Sequence, residues 1–271
     1  MANYFQYQFS VSDDAVAAEL IAELSEIGFS GFEESSQLLK AFIAESDFDE
    51  KVFSDTIKRF QLTPELTVIP ETNWNAVWES NFEPVVVDDF VGIRADFHEP
   101  IAGVEYEIRI TPKMSFGTGH HATTHMMMQL MRSIDFKNKT VFDFGTGTGV
   151  LAILAEKLGA PSIYAIDNDQ WSIDNTQENI DRNQCKAITV QLDVKPPIGN
   201  EYNVILANIN KSVILEFLPS LHSILEKGGS LLLSGLLEED KEDILNATSK
   251  LNLQLVDSQS RKGWIALHIT K

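Results

Sequence analysis

Asp143-Phe144-Gly145-Thr146-Gly147-Thr148-Gly149 sets an acid and three alternating glycines between an apolar strand-like run and the helix-forming Val150-Leu151-Ala152-Ile153-Leu154-Ala155. Glycines at a strand-to-helix turn let the backbone approach a ligand closely and take dihedrals closed to other residues. A dinucleotide-binding turn would need glycine at position 150, where Val150 stands, so the spacing is G-x-G-x-G. S-adenosylmethionine has no pyrophosphate to seat, and its ammonium and sulfonium favour a nearby carboxylate, which Asp143 supplies. Gly145 and Gly147 are expected to border that ligand. Asp167, at the end of the next strand, is expected to accept hydrogen bonds from both ribose hydroxyls. Asp193, after the third strand, either contacts the adenine or caps its loop. A tight turn without a ligand is the competing reading, and the ordered series strand, acid, glycines, helix, strand, acid argues against it.

Two further segments bear on the same site. Ser115-Phe116-Gly117-Thr118-Gly119-His120-His121-Ala122-Thr123-Thr124 joins small residues, an aromatic and several hydroxyls just before a helix. Phe116 suits an apolar ligand face, while Thr118 and Thr124 suit polar groups; Thr123 or Thr124 could equally cap the helix. Asn208 ends a strand at the carboxyl edge of the sheet, where open α/β folds bind ligands. Its amide could orient an incoming amine or simply form an Asx turn. His120, His121 and His125 lack the Glu of an H-E-x-x-H arrangement and any neighbouring Cys, so no metal site is expected.

The elements that must carry these residues follow from periodicity. From Ala122 onward strands and helices alternate, as in a doubly wound α/β domain. Strands are expected at 140–143, 162–167, 188–192, 202–207, 230–234 and 263–269, and helices at 150–158, 170–183, 212–225 and 238–251. Ahead of them, Tyr4–Val11 reads as a strand, Val16 to Ile27 as a helix capped by Gly28, Glu33-Glu34 as a turn, Leu38–Ala44 as a strand and Asp49–Phe60 as an amphipathic helix. That order suits a small ferredoxin-like α+β module. Pro64 and Pro70 bracket an expected connection, followed by a short helix at Asn73–Glu79 and strand-like pieces at 85–87, 91–95 and 105–110. The domain reading is therefore 1–70, a linker with connecting strands over 71–110, and a catalytic domain over 111–271.

Composition limits the classes open to the chain. Its 271 residues are 44% hydrophobic and 23% charged, as in ordinary globular proteins. A single cysteine, Cys185, excludes an intramolecular disulfide and fits a reducing compartment. No basic-then-apolar leader and no run of roughly 18 apolar residues occurs, so neither export nor membrane insertion is expected and the cytoplasm is the default location. A net charge of -19 disfavours nucleic acid and anionic lipid and would attract a basic protein.

Together these residues resemble the PrmA family of ribosomal-protein methyltransferases, which methylate amino groups of ribosomal protein L-eleven. The likeness is carried by Phe116-Gly117-Thr118-Gly119, the glycine turn, Asp167, Asn208 and Ser234-Gly235-Leu236-Leu237, and extends more weakly to Asn73-Trp74, Asn81-Phe82 and the N-terminal module. It implies a Rossmann-like class I S-adenosylmethionine-dependent methyltransferase domain preceded by a ferredoxin-like domain. It also implies cofactor contacts at Thr124, Gly145, Asp167 and Asn208, and a cofactor pocket of which the Phe116–Gly119 loop forms part. The implied acceptors are lysine or N-terminal amines of L-eleven, recognised by the N-terminal domain; the chain is expected to be a monomer. The chain departs from the family pattern at His120, at Ala122 and over Ile209-Asn210-Lys211-Ser212, next to the expected amine site. Competing readings are a methyltransferase for RNA or a small molecule, and a non-catalytic adenosyl-ligand-binding protein of ribosome assembly. An Asn-Pro-Pro-aromatic motif, suited to planar amides and base amines, is absent.

Overall fold

The computed structural model describes residues 3–35, 37–70, 82–113 and 116–271. They fall into two compact units, within residues 1–77 and 78–271. The helix expected at Asn73–Glu79, and Ser115 of the loop, lie outside the described residues.

In the first unit the order is β1 (Tyr4–Ser10), α1 (Asp14–Glu26), β2 (Gly31–Ser35), β3 (Leu38–Ala44), α2 (Glu50–Phe60) and β4 (Glu65–Ile69). Asp13 and Asp49 cap the two helices, their carboxylates accepting from Ala15 N and Val16 N and from Lys51 N and Val52 N. The sheet order β2-β3-β1-β4, antiparallel throughout, is the ferredoxin-like arrangement. Tyr7, Phe9, Leu20, Leu24, Ile43 and Phe53 fill its core.

Two segments of this unit differ from the sequence expectation. Glu33 and Glu34 lie inside β2 rather than in a turn. An edge strand tolerates carboxylates facing water, and Glu33 pairs across the ladder with Lys40 at 3.2 Å. The stretch bracketed by Pro64 and Pro70 is the edge strand β4, with its prolines just outside the ladder.

The second unit opens with a three-stranded sheet, β5 (Val85–Val87), β6 (Val91–Arg94) and β7 (Tyr106–Arg109). Then come α3 (Ala122–Met131), β8 (Thr140–Phe144), α4 (Val150–Lys157), β9 (Ser162–Asp167), α5 (Gln170–Arg182), β10 (Ile188–Leu192), β11 (Tyr202–Asn208), α6 (Lys211–Ile224), β12 (Leu225–Leu237), α7 (Lys241–Ser249), β13 (Gln254–Arg261) and β14 (Trp264–Thr270). The large sheet runs β10-β9-β8-β11-β12-β14-β13, parallel from β10 to β12, with β14 antiparallel to both its neighbours.

Both faces of this sheet are covered, which explains the nearly unbroken apolar runs of its central strands. Along β11, Val204 and Leu206 join one core with α3, α4 and the three-stranded sheet, while Ile205 and Ala207 join the other with α6 and α7. Val87, Val91, Ile93, Ile108 and Ile110 lie in the first of these cores, so the strands read as part of a linker pack inside the second unit. β13 escaped the periodicity reading because Gln254–Arg261 lies at the sheet edge and is mostly exposed. The hairpin turn to β14 places both Lys262 (φ 52°) and Gly263 (φ 79°) in the left-handed region, as type I′ turns require.

Phe142 is fully buried, its ring 5.9, 6.0 and 5.4 Å from those of Phe144, Tyr164 and Tyr202. Phe142→Ala is expected to cost about 3–5 kcal/mol in urea unfolding, and a loss below about 1 kcal/mol would contradict this packing.

Candidate active site

The strand-to-helix turn after β8 is shaped by close contacts that leave no room for side chains. Gly145, Gly147 and Gly149 have φ of 78°, 58° and 78°. A Cβ at Gly145 would lie 2.3 Å from Ile209 Cγ2, and one at Gly147 would lie 2.3 Å from the Phe116 carbonyl oxygen. Gly145 N and Thr146 N both donate to Ile166 O, at 2.9 and 3.0 Å. Gly147 N donates to Asp167 Oδ2 at 2.9 Å, while Asp169 N donates to Asp167 Oδ1 at 3.1 Å. Asp167 is thus oriented through both oxygens and keeps further lone pairs for other donors.

The outer side of the turn is gripped from α5. Thr176 Oγ1 donates to Gly147 O at 2.7 Å and Asn179 Nδ2 to Thr148 O at 2.8 Å, while Asn179 Oδ1 accepts from Thr111 N at 2.8 Å. Asn175, Thr176 and Asn179 are fully buried. Sequence reading missed them, although three polar residues on one helical face, where an amphipathic helix should be apolar, were the signal. The Phe116 loop closes on the same turn: Thr148 N donates to Phe116 O at 3.0 Å and Thr148 Oγ1 to Gly117 O at 2.9 Å.

A cavity of about 470 Å³ opens at the carboxyl edge of the parallel strands. Phe116, Gly145, Gly147, Asp167, Asp193 and Asn208 all line it. Thr124 joins Phe116, Gly145 and Asn208 around a small adjoining recess. The structure therefore brings together seven of the residues singled out in the sequence. Thr118 and Asp143 line neither recess. Thr118 Oγ1 lies 3.2 Å from His120 Nδ1. Asp143 is buried beneath the turn, where its Oδ2 accepts from Thr146 Oγ1 at 2.7 Å. Asp193 braces its own loop, its Oδ1 accepting from Val194 N at 2.7 Å and Lys195 N at 3.1 Å, and still lines the cavity.

Asn208 is 7% exposed. Its Nδ2 donates to Thr124 Oγ1 at 3.3 Å, and its Oδ1 is buried with no hydrogen-bond partner among the described residues. A buried acceptor in that state needs a donor from a ligand or solvent. Asn210, two residues on, also lines the cavity, as do His121 and Trp264, whose rings meet at 4.7 Å. Asn210 belongs to the segment expected beside the amine site, whereas Trp264 was not foreseen as a site residue. Trp264 reads as an ordinary strand residue until the hairpin brings it to the cavity.

Neighbouring contacts fix this rim. His121 caps α3, its Nδ1 2.7 Å from Thr123 Oγ1, and burial pushes its ring below the usual imidazole range. Hydrogen bonds from Lys211 Nζ to Asp243 (2.6 Å) and Asp240 (2.9 Å) fasten the start of α6 to the β12–α7 segment, pushing the ammonium up to about 12. His125 Nε2 lies 3.0 Å from Arg261 Nη1. Among the described residues no three His, Cys, Asp or Glu side chains are grouped as a metal site would require. No helix among them is long and apolar enough to cross a membrane.

The sheet order, its antiparallel β14 and a ligand-sized cavity at the glycine turn define a Rossmann-like class I S-adenosylmethionine-dependent methyltransferase fold. A family model described as "Ribosomal protein L11 methyltransferase (PrmA)" matches residues 11–271. A Porphyromonas gingivalis protein named ribosomal protein L11 methyltransferase is 39% identical over 259 residues, spanning 93% of this chain and 89% of the relative. One of the same name from Chlorobaculum tepidum is 34% identical, spanning 97% and 95%. The crystal structure of a ribosomal protein L11 methylase from Lactobacillus delbrueckii subsp. bulgaricus superposes with a TM-score of 0.65 at 29% identity, over 70% of this chain and 99% of that one. The chain belongs to the PrmA family of ribosomal protein L11 methyltransferases.

Burial, reinforced by the nearby Asp167 charge and opposed by the Thr146 hydrogen bond, raises the Asp143 carboxyl from its ordinary 3.8 to about 7. Between those values the folded protein holds a proton that the unfolded chain releases. Asp143's contribution to stability is thus complete below about pH 4 and lost as pH rises through about 7. In the ligand-free protein, Asp143→Asn should gain stability relative to wild type across that window, by up to roughly 4 kcal/mol. Urea unfolding at pH 5 and pH 8 measures it; an equal difference at both would contradict the buried, protonated carboxyl.

Proposed function

We propose that the chain transfers methyl groups from S-adenosylmethionine to lysine side chains, N-terminal amines, or both, of ribosomal protein L11. The observation that best supports an amine acceptor is Asn208 Oδ1, a buried carbonyl without a partner among the described residues, on a residue that lines the cavity. An N–H donor is what such an atom lacks, and an attacking amine has one to offer while its lone pair points elsewhere.

The residues present fit the cofactor. Asp167, held through both oxygens, would accept from the two ribose hydroxyls. Gly145 and Gly147 supply backbone that a bound molecule can approach directly, and Asp193 would meet the adenine edge. Phe116 would lie over the ligand. Asp143, beneath the turn, acts by holding Thr146 and the turn's shape. S-adenosylmethionine, when bound, supplies a sulfonium methyl that an amine can take by direct displacement, without a covalent enzyme intermediate.

The protein's share of the reaction is positioning and exclusion of water. Asn208, steadied by Thr124, turns the amine nitrogen toward the donor. His121, Trp264 and Phe116 wall the cavity with rings. The amine must be neutral to attack, and among the described residues no side chain is assigned as a dedicated base, so its proton leaves to water before transfer. The first unit, with its ferredoxin-like sheet, is assigned to recognition of the ribosomal protein, and the strongly acidic chain suits a basic partner.

Incubation with labelled cofactor and purified L11 should place label on amine nitrogens, mapped by mass spectrometry. Label in RNA instead, or tight cofactor binding with no acceptor methylated, would sink the assignment. Asp167→Ala should weaken S-adenosylmethionine binding by about 1–3 kcal/mol in calorimetry, and an unchanged Kd would reject the ribose role. Asn208→Ala should lower kcat about 10- to 100-fold through misplacement of the amine, whereas a change confined to cofactor Kd would remove it from amine orientation.

A further inference from the structure

A second recess of about 250 Å³ lies beside the catalytic cavity, and its lining includes Gly119, His120, His125, Arg261 and Lys262. The same two chain segments serve both. His121 and Trp264 face the cavity, whereas His120 and the Arg261-Lys262 pair, their neighbours in sequence, face the recess. The β13–β14 turn thus reaches both the cavity, through Trp264, and the recess, through Arg261 and Lys262.

This recess runs against the electrostatic character of the chain. In a protein of net charge -19, Arg261 and Lys262 stand side by side, and among the described residues neither joins an ion pair. Among the described residues the Arg261 guanidinium hydrogen-bonds to the imidazole of His125, 3.0 Å away. Burial and the Arg261 charge hold that ring below the usual imidazole range, against the pull of Asp88, so it accepts from the guanidinium without neutralising it. Among the described residues the nearby carboxylates form no ion pair with either cation. Asp88 accepts from Gln129 Nε2 at 2.8 Å, and Glu238 accepts from Ser260 Oγ. Burial likewise lowers His120, against the pull of Glu83, and the cations that line the recess are Arg261 and Lys262.

We propose that this recess is an accessory subsite of the acceptor, in which Arg261 and Lys262 bind a carboxylate side chain of the protein substrate close in space to the methylated amine. The proposal rests on the protein-amine reading above. It gives the site two poles: an acidic cofactor edge bearing Asp167, Asp169 and Asp193, and a cationic turn that holds an acid beside the amine. A carboxylate fits better than a nucleic-acid backbone, because the remaining surface of so acidic a chain repels a polyanion.

The test compares wild type, Arg261→Gln and Lys262→Glu on purified L11, with and without ribosomal RNA. Lys262 occupies an exposed turn, so its reversal leaves the hairpin backbone in place. The expected result is a rise of about five- to tenfold in KM for L11, with cofactor Kd unmoved and a weaker salt dependence of KM. An acceptor whose neighbouring acid is changed to lysine should recover with Lys262→Glu. Unchanged KM in both variants, with wild type active, would overturn the subsite and leave the protein-amine reading intact. An effect seen only when RNA is present would overturn it in favour of a phosphate contact. Failure of wild type to methylate L11 would remove the amine reading itself, and with it the acceptor named here.

Discussion

The hydrogen bond from the Gly147 amide to Asp167 joins the two features on which the rest of the site depends. It fastens the glycine turn that follows one parallel strand to the acid that ends the next, so neither can move without the other. The Phe116 carbonyl occupies the space a Cβ at Gly147 would need, and Thr176 holds Gly147 from the opposite side. The cavity floor is thus set by backbone geometry before any ligand arrives, which is the condition for binding without large reorganisation. Asn208, on the strand beyond the turn, inherits its position from the same sheet and from Gly235, which passes so close to Ile209 that only glycine fits.

Much of this was legible because it depends on local chemistry. The G-x-G-x-G spacing, the acid ending the next strand and the alternation of strands and helices are constraints of single turns and single strands, and the structure places Gly145, Gly147 and Asp167 on one cavity. Edge strands were harder. β2, β4 and β13 need not bury two faces, so their sequences carry polar residues where a periodicity reading looks for apolar ones. The strands at 85–109 looked like connections because they are short. Only the shared core with α3 and α4 shows that they belong to the larger unit.

The site residues that escaped notice share a different cause. Asn175, Thr176 and Asn179 act by gripping backbone carbonyls and amides far away in sequence, and Trp264 reaches the cavity through a hairpin that no motif announces. Asp143 shows the converse. Its type and position suit a ligand contact, yet the sheet buries it, and its carboxyl serves the turn rather than the cavity surface. Sequence order gives the residue types, while exposure decides which of them meet a ligand.

A crystal structure with S-adenosylhomocysteine bound would test the adenosyl assignment most directly. The expected result is both ribose hydroxyls within hydrogen-bonding distance of the Asp167 carboxylate, with the ligand lying over Gly145 and Gly147 and Asn208 Oδ1 facing the open end of the cavity. A ribose bound elsewhere, with Asp167 still engaged only by Gly147 and Asp169, would contradict it.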